Sequence, residues 1–169
     1  MNTDVDIAVI GGGPNGATTA ALLARHSGVA PARIALLAPE LARAPASCGT
    51  RGAAGASAPP DLRVAAISRA SEQVLRHAGA WSELPSERLC AYEYMRIWHQ
   101  SAPSAGPGTL VFSAAELAEP NLGFIVENRA LSGAGLASFR AQGGCTLGES
   151  VDALQVDGGA ARLRTSSGA

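Results

Sequence analysis

A glycine-rich turn near the amino terminus contains the residues whose spacing indicates chemistry. Gly11, Gly13 and Gly16 follow the pattern Gly-x-Gly-x-x-Gly. In such a turn the first glycine permits a tight bend, the second leaves room for a pyrophosphate beside the backbone, and the third lets the next helix lie close to the strand. We therefore expect backbone N–H groups here to bind the diphosphate of a nucleotide cofactor.

The elements that must position this turn are a strand, a helix and a second strand. Residues 6–10 are a short run that is apolar after its first residue, typical of a strand buried on both faces of a parallel sheet. Pro14 suits the first turn of a helix, residues 17–26 favour the helix, and Gly28 follows as a stop. Residues 33–38 predict the second strand. This βαβ context favours a dinucleotide site over an ordinary glycine-rich turn.

A carboxylate that could hold ribose hydroxyls is expected at the end of the second strand, about 20 residues beyond the turn. Ala38 occupies that place, and Glu40 follows two residues later, after Pro39. Two interpretations stay open. Glu40 reaches the ribose from the loop, or it is a solvated loop charge.

Composition excludes several classes of function. The 13 basic and 14 acidic side chains give a net charge of -1, which argues against a nucleic-acid binder. Cys48, Cys90, Cys145 and the three histidines fit no metal-ligand spacing, so no metal site is expected. The cysteine usage favours a reducing cytosol. No run approaches the ~20 apolar residues of a membrane span, and we expect a cytoplasmic protein that could contact the inner membrane peripherally.

The middle of the chain predicts a loop followed by a helix. Residues 42–60 are rich in Ala, Gly, Ser and Pro, which indicates a long flexible loop. Ser68 is expected to cap a helix that ends near Gly79. The apolar stripe of this helix assigns Trp81 to the core rather than to a cofactor platform. Its predicted members are Val74, Leu75, Ala78 and Trp81.

Antiparallel strands and another helix are predicted after this point. Residues 92–98 and 109–112 have strand composition and a Gly/Pro/Ser loop between them. A strand at residues 124–128 leads into a helix over 129–142, which Gly133 and Gly135 weaken. A hairpin is expected to turn at residues 157–159. We therefore predict an α/β fold, a Rossmann-like βαβ domain with an inserted antiparallel β layer over about residues 92–127.

Four stretches carry a resemblance to a known family. They are GGGPNG at Gly11–Gly16, DLRVAAISRASEQVLRHAGAW at Asp61–Trp81, YEYMRIW at Tyr92–Trp98 and EPNLGFIVENRAL at Glu119–Leu131. Together they resemble the FAD-dependent aromatic hydroxylases of ubiquinone biosynthesis, within the para-hydroxybenzoate hydroxylase class of flavoprotein monooxygenases. The likeness runs over nearly the whole chain, and its later stretches are more specific than the glycine motif.

The resemblance implies a cofactor and the residues that bind it. FAD would lie at Gly11, Gly12, Gly13, Pro14, Asn15 and Gly16, with Arg63 and Arg129 also in contact, since guanidinium groups suit phosphate and polarised carbonyl oxygens. In the alternative, these arginines are surface groups paired with Asp61 or Glu127. The implied oxidoreductase reaction hydroxylates a polyprenylated phenol or quinol with NAD(P)H and O₂, and related biosynthetic hydroxylases are the implied partners.

The family pattern continues beyond 169 residues, with an Asp-Gly motif, a Gly-Asp-Ala motif and most of the substrate layer. We therefore expect a partial chain whose fold is incomplete at the carboxyl terminus and whose catalytic residues are unknown. Two hypotheses remain: the amino-terminal part of a hydroxylase, or a non-catalytic FAD-binding fragment that serves as an assembly module of a hydroxylase complex. A third, an NAD-dependent reductase domain, is disfavoured by the Glu127-Asn128-Arg129 segment and by Ala38.

Overall fold

The computed structural model describes residues 4–42 and 60–166, which form an α/β structure of three helices and ten strands. This architecture confirms the predicted fold class. The helices are α1 (Pro14–His26), α2 (Arg69–His77) and α3 (Asn128–Ala141). The strands are β1 (Ile7–Ile10), β2 (Ile34–Leu37), β3 (Val64–Ser68), β4 (Cys90–Tyr92), β5 (Tyr94–Ile97), β6 (Leu110–Ser113), β7 (Gly123–Glu127), β8 (Cys145–Leu147), β9 (Val151–Asp157) and β10 (Ala160–Thr165).

The strands that flank the glycine turn lie in a parallel sheet of order β1-β2-β8. Ile7 pairs with Ile34 at one end of the β1–β2 ladder, and β8 joins the far side of β2. All four residues of β2 are buried, as expected for the middle strand. The prediction that β1 is buried on both faces is wrong, because Ala8 and Ile10 are exposed. Only the face of β1 that carries Ile7 and Val9 packs against the core of the described part of the chain.

Helices α1 and α3 pack against each other beside this sheet. A Cβ atom at Gly135 would lie 2.9 Å from the backbone carbonyl carbon of Ala17, so the glycine permits the close approach of the two helices. Ala20 of α1, Ile34 of β2 and Phe139 of α3 belong to one buried cluster. The loss of helix propensity at Gly135 is therefore offset by helix packing.

The second sheet is antiparallel, with the order β3-β7-β4, and α2 follows β3 directly. Ser68 caps α2 as predicted, because its Oγ accepts a hydrogen bond from the Ser71 amide at 3.2 Å. Trp81 is buried and packs edge-on against Phe124 at 5.3 Å between ring centroids, which confirms its core assignment. The assignment of Val74 to the apolar stripe is wrong, since this side chain is exposed.

Two hairpins complete the described structure. Strands β9 and β10 are joined at Gly158 and Gly159, whose φ angles of 56° and 85° suit the predicted turn. The strand predicted over residues 92–98 is instead split between β4 and β5, and β5 pairs with β6 as an antiparallel ladder. The loop predicted at residues 42–60 lies almost wholly outside the described residues. Across the ranges that are described, no helix combines the length and apolar character needed to cross a membrane.

Candidate functional site

The glycine turn connects β1 to α1 in a conformation that its first and third glycines make possible. Gly11 has a φ of 107°, a region that favours glycine, and its amide donates to the Leu37 carbonyl at 2.8 Å. A Cβ atom at Gly16 would lie only 1.9 Å from the Gly11 carbonyl oxygen. These two positions therefore require glycine for the fold itself, as the motif predicts.

Gly13 is different, because nothing in the described fold requires a glycine there. Its φ of −67° and ψ of 179° are open to any residue, and no atom lies within 4 Å of the place that a Cβ would take. Gly13 and Asn15 are exposed, and no side chain caps the N-terminus of α1. The unpaired N–H groups and the positive dipole end of α1 thus face an open backbone cradle, which suits an anionic phosphate group.

Glu40 lies against this turn. A single helical turn, Pro39–Ala42, brings it back from the end of β2, and its Oε1 accepts a hydrogen bond from the Gly12 amide at 3.2 Å. Gly12 itself is buried, and a Cβ there would lie 2.9 Å from the Cβ of Ala38. Both interpretations of Glu40 stay open, because this residue is exposed to solvent and also accepts a hydrogen bond from the turn. The contact with ribose stays a prediction.

Arg63 and Arg129 lie together at one end of the antiparallel sheet. Val64 pairs with Glu127, and the next step of the ladder joins the Asn128 amide to the Arg63 carbonyl at 2.9 Å. Both arginines are exposed. In the described residues, no salt bridge engages either guanidinium group. As for the alternative pairing, neither arginine forms a salt bridge with Asp61 or Glu127 in these residues, although the charge of Arg129 helps to lower the pKa of Glu127.

The acids named in that alternative have other partners. Asp61 Oδ1 accepts a hydrogen bond from the backbone amide of Arg63 at 3.1 Å. Glu127 Oε1 accepts from Arg88 Nη1 at 2.7 Å, and Glu127 Oε2 accepts from the Asp61 amide at 2.9 Å. The Asp61 amide, and then Arg88, lower the pKa of Glu127 against the opposing effect of desolvation. Sequence reasoning missed Arg88, because no local pattern links it to residues 39 positions away.

The structure therefore assembles the predicted residues into two groups. One contains the glycine turn and Glu40, and the other contains Arg63 and Arg129. No hydrogen bond or salt bridge within the described ranges joins the groups directly, although the close approach of Gly135 to Ala17 connects their helices. The same ranges contain no cluster of three His, Cys, Asp or Glu side chains that could hold a metal ion.

Comparison with known proteins connects this arrangement to a family. No protein-family profile matches the chain. The chain is 34% identical over 131 residues to the 3-demethoxyubiquinol 3-hydroxylase of Escherichia coli K12, in an alignment that covers 77% of this chain and 29% of that enzyme. The chain matches the N-terminal part of an FAD-dependent hydroxylase. The chain spans under a third of the length of the Escherichia coli enzyme.

Solved structures share the fold of this chain. The p-nitrophenol 4-monooxygenase PnpA of Pseudomonas putida DLL-E4 aligns with a TM-score of 0.64 at 19% identity, over 98% of this chain and 37% of that one. The myxobacterial chondrochloren halogenase CndH, described as a variant of FAD-dependent halogenases, aligns with a TM-score of 0.61 at 18% identity, over 99% of this chain and 35% of that one. At these identities the likeness establishes the fold, and it confirms the predicted α/β class.

Proposed function

We propose that this chain forms the FAD-binding part of an aromatic-ring hydroxylase of ubiquinone biosynthesis, a monooxygenase that uses NAD(P)H and O₂ on a polyprenyl phenol or quinol. The observation that carries the proposal is the open backbone cradle at Gly13. A glycine that the fold does not need, at an uncapped helix N-terminus, is explained by a ligand that must approach the backbone. The similarity to a 3-demethoxyubiquinol hydroxylase supports the choice of substrate class.

The backbone of the glycine turn binds the diphosphate in this proposal. The amides of Asn15 and Gly16 lie in the first turn of α1, where helical N–H groups lack an intrahelical partner. The Gly12 amide already donates to Glu40. Glu40 therefore has a defined position beside the turn, and its carboxylate offers acceptors for the ribose hydroxyls.

Arg63 and Arg129 provide the positive charge of the second group. Their guanidinium groups bind phosphate or polarised carbonyl oxygens of the cofactor, and their exposure leaves them accessible. Bound FAD would supply the redox chemistry, with NAD(P)H as the electron donor and O₂ as the source of the oxygen added to the ring. The protein contributes binding and orientation.

The experiment that tests the proposal changes Gly13 to Asp. Aspartate is a preferred N-cap residue, so the melting temperature should stay the same or rise. Its side chain enters the cradle and repels a diphosphate, so we expect the Kd for FAD, measured by quenching of flavin fluorescence, to rise at least about tenfold.

Two further variants of the chain provide the controls. Gly13→Asn fills the cradle without a charge and should give an intermediate Kd, while Thr19→Val alters an exposed residue farther along α1 and should leave the Kd unchanged. FAD binding that is equal in Gly13→Asp and in the unaltered chain would contradict the proposal. NADPH oxidation stimulated by a prenylated phenol, with the remainder of a hydroxylase supplied in trans, tests the reaction itself.

We also propose a second candidate function, a non-catalytic FAD-binding module that assembles with related biosynthetic hydroxylases. One observation favours it. The β5–β6 ladder leaves large apolar side chains exposed, a surface that commonly marks an interaction site. They include Tyr94, Ile97, Leu110 and Phe112. Analytical ultracentrifugation with a purified hydroxylase tests this function, which predicts a complex with bound flavin and no phenol-stimulated NADPH oxidation from the chain.

A further inference from the structure

Glu127 connects three separate segments of the chain at the end of β7. One of its carboxylate oxygens accepts from the Asp61 amide, in the segment that leads into β3. The other accepts from Arg88, which lies just before β4. The side chains of Glu127 and Arg88 are only 14% and 16% exposed. This pair is therefore largely enclosed by protein, unlike the exposed arginines near it.

The backbone position of Arg63 depends on this connection. Its N–H donates to the side chain of Asp61, whose own N–H donates to Glu127. Its carbonyl accepts from the amide of Asn128, the residue after Glu127. Both polar groups of the Arg63 backbone are thus held through Glu127 or its neighbour, and loss of the negative charge at Glu127 would weaken one of these two connections.

Arg88 also affects how strongly the Glu127 carboxylate attracts Arg129. The Glu127 carboxylate is close enough to Arg129 for the two charges to interact, yet its salt bridge is made with Arg88 at 2.7 Å. If Arg88 lost its charge, Arg129 would still act on a partly enclosed carboxylate. The cost of an unpaired enclosed charge would then draw Arg129 towards Glu127.

We propose that Glu127 and Arg88 are positioning residues for the candidate cofactor site. Glu127 holds the backbone that carries Arg63, and Arg88 pairs with Glu127 so that Arg129 stays available to an anionic ligand. This inference rests on the proposed function, since the ligand is taken to be FAD.

The test is a double-mutant cycle read out as the Kd for FAD. We expect Arg88→Met to raise the Kd about tenfold, a size typical of coupling between neighbouring charged groups. Because Arg88 acts through Arg129, the double variant R88M/R129M should bind FAD no more weakly than R129M alone. By the same logic, E127Q/R63M should match R63M. The charge-conserving Arg88→Lys should restore most of the affinity.

Several outcomes separate this inference from a purely structural role and from failure of the proposed function. A structural role predicts that R88M weakens FAD binding by the same factor with and without Arg129, and that result would overturn the inference. If R88M and E127Q bind FAD as tightly as the unaltered protein does, the inference is overturned and the proposed function stays intact. Unaltered protein that does not bind FAD would overturn both. If R88M does not fold, the E127Q cycle decides the question.

The matched control for this cycle is Asp6→Asn. It breaks another acid–arginine pair, in which Asp6 accepts from Arg33 Nε at 2.7 Å, at the opposite end of β1 from the glycine turn. Its Kd for FAD should equal that of the unaltered chain. Melting temperatures for every variant show whether each retains its fold.

Discussion

At the scale of single residues, the glycines of one short motif are needed for different physical reasons. Gly16 is required by a backbone contact inside the fold, whereas a Cβ atom added at Gly13 would meet no atom of the described protein. The sequence pattern predicts both as part of one site, because the spacing is the same whichever reason applies. Only the structure distinguishes a glycine that the fold requires for steric reasons from a glycine that a ligand requires. We therefore expect substitutions at Gly16 and Gly13 to have different effects.

Gly16→Ala should destabilise the chain whether or not a ligand is present. Its Cβ would lie 1.9 Å from the Gly11 carbonyl oxygen, and a backbone atom cannot move aside without distorting the turn. We expect the free energy of unfolding, measured by urea titration, to fall by about 2 kcal/mol or more. Gly13→Ala is the matched control and should stay within about 1 kcal/mol of the original value. Equal stability of the two variants would show that the turn differs from this description.

The ionisation of Glu127 predicts a pH dependence of stability. Hydrogen bonds from the Asp61 amide, and then from Arg88, lower its pKa in the folded protein. A carboxyl group with a lowered native pKa stabilises the fold fully above its unfolded pKa, about 4.3, and this contribution is lost as the pH falls through the native value. The Glu127→Gln variant has no such group.

The measurement is urea unfolding of the unaltered chain and of Glu127→Gln between pH 7 and pH 3. The unaltered chain should be the more stable at neutral pH, and the difference should shrink as the pH drops below about 4.3. A difference that stays constant over this range would mean that Glu127 does not titrate in contact with its two partners.

At the scale of elements, local patterns predicted the β1–α1–β2 unit and the β9–β10 hairpin correctly. Both depend on residues close in sequence, such as Pro14 at a helix start and Gly158 in a turn. The addition of β8 to β2 could not be read in the same way, because the pairing of Ala35 with Cys145 joins residues far apart in the chain. Burial of β1 was overestimated for a related reason, since periodicity does not reveal which faces other elements cover.

The crossing of α1 and α3 gives a prediction at this scale. Gly135→Ala should favour the isolated helix by about 1 kcal/mol. In the folded chain, however, the new Cβ would lie 2.9 Å from the Ala17 carbonyl carbon, in a buried contact between two helices. We expect the contact to dominate, and the melting temperature to fall by about 2–4 °C for each kcal/mol lost, the range for a chain of this length.

The control for this crossing is again Gly13→Ala, where an added Cβ meets no atom and only the N-cap preference changes. A rise in the melting temperature of Gly135→Ala would contradict the close approach, because it would show that helix propensity outweighs packing at this position.

At the scale of the whole molecule, the candidate site is built from segments that lie far apart in the sequence. Glu40 reaches Gly12 across 28 positions, and Glu127 reaches the Asp61 amide across 66. Family resemblance predicts which residues bind a ligand, because they occur within recognisable motifs, and their contact with a ligand stays a prediction. It did not predict Arg88, whose contact with Glu127 arises only when three segments fold together.

The last prediction tests whether the glycine turn and Glu40 bind the same half of the cofactor. If the turn holds the diphosphate and Glu40 the adjoining ribose, Glu40→Gln should weaken the binding of FAD and of ADP by the same factor, about fivefold, because charged acceptors form stronger hydrogen bonds. Glutamine keeps one oxygen for the Gly12 amide, so the turn should persist. Competition titrations with ADP against FAD measure both constants, and Glu83→Gln, an exposed acid after α2, is the control. A loss confined to FAD would assign Glu40 to the flavin half of the cofactor, because ADP contains only the adenosine ribose.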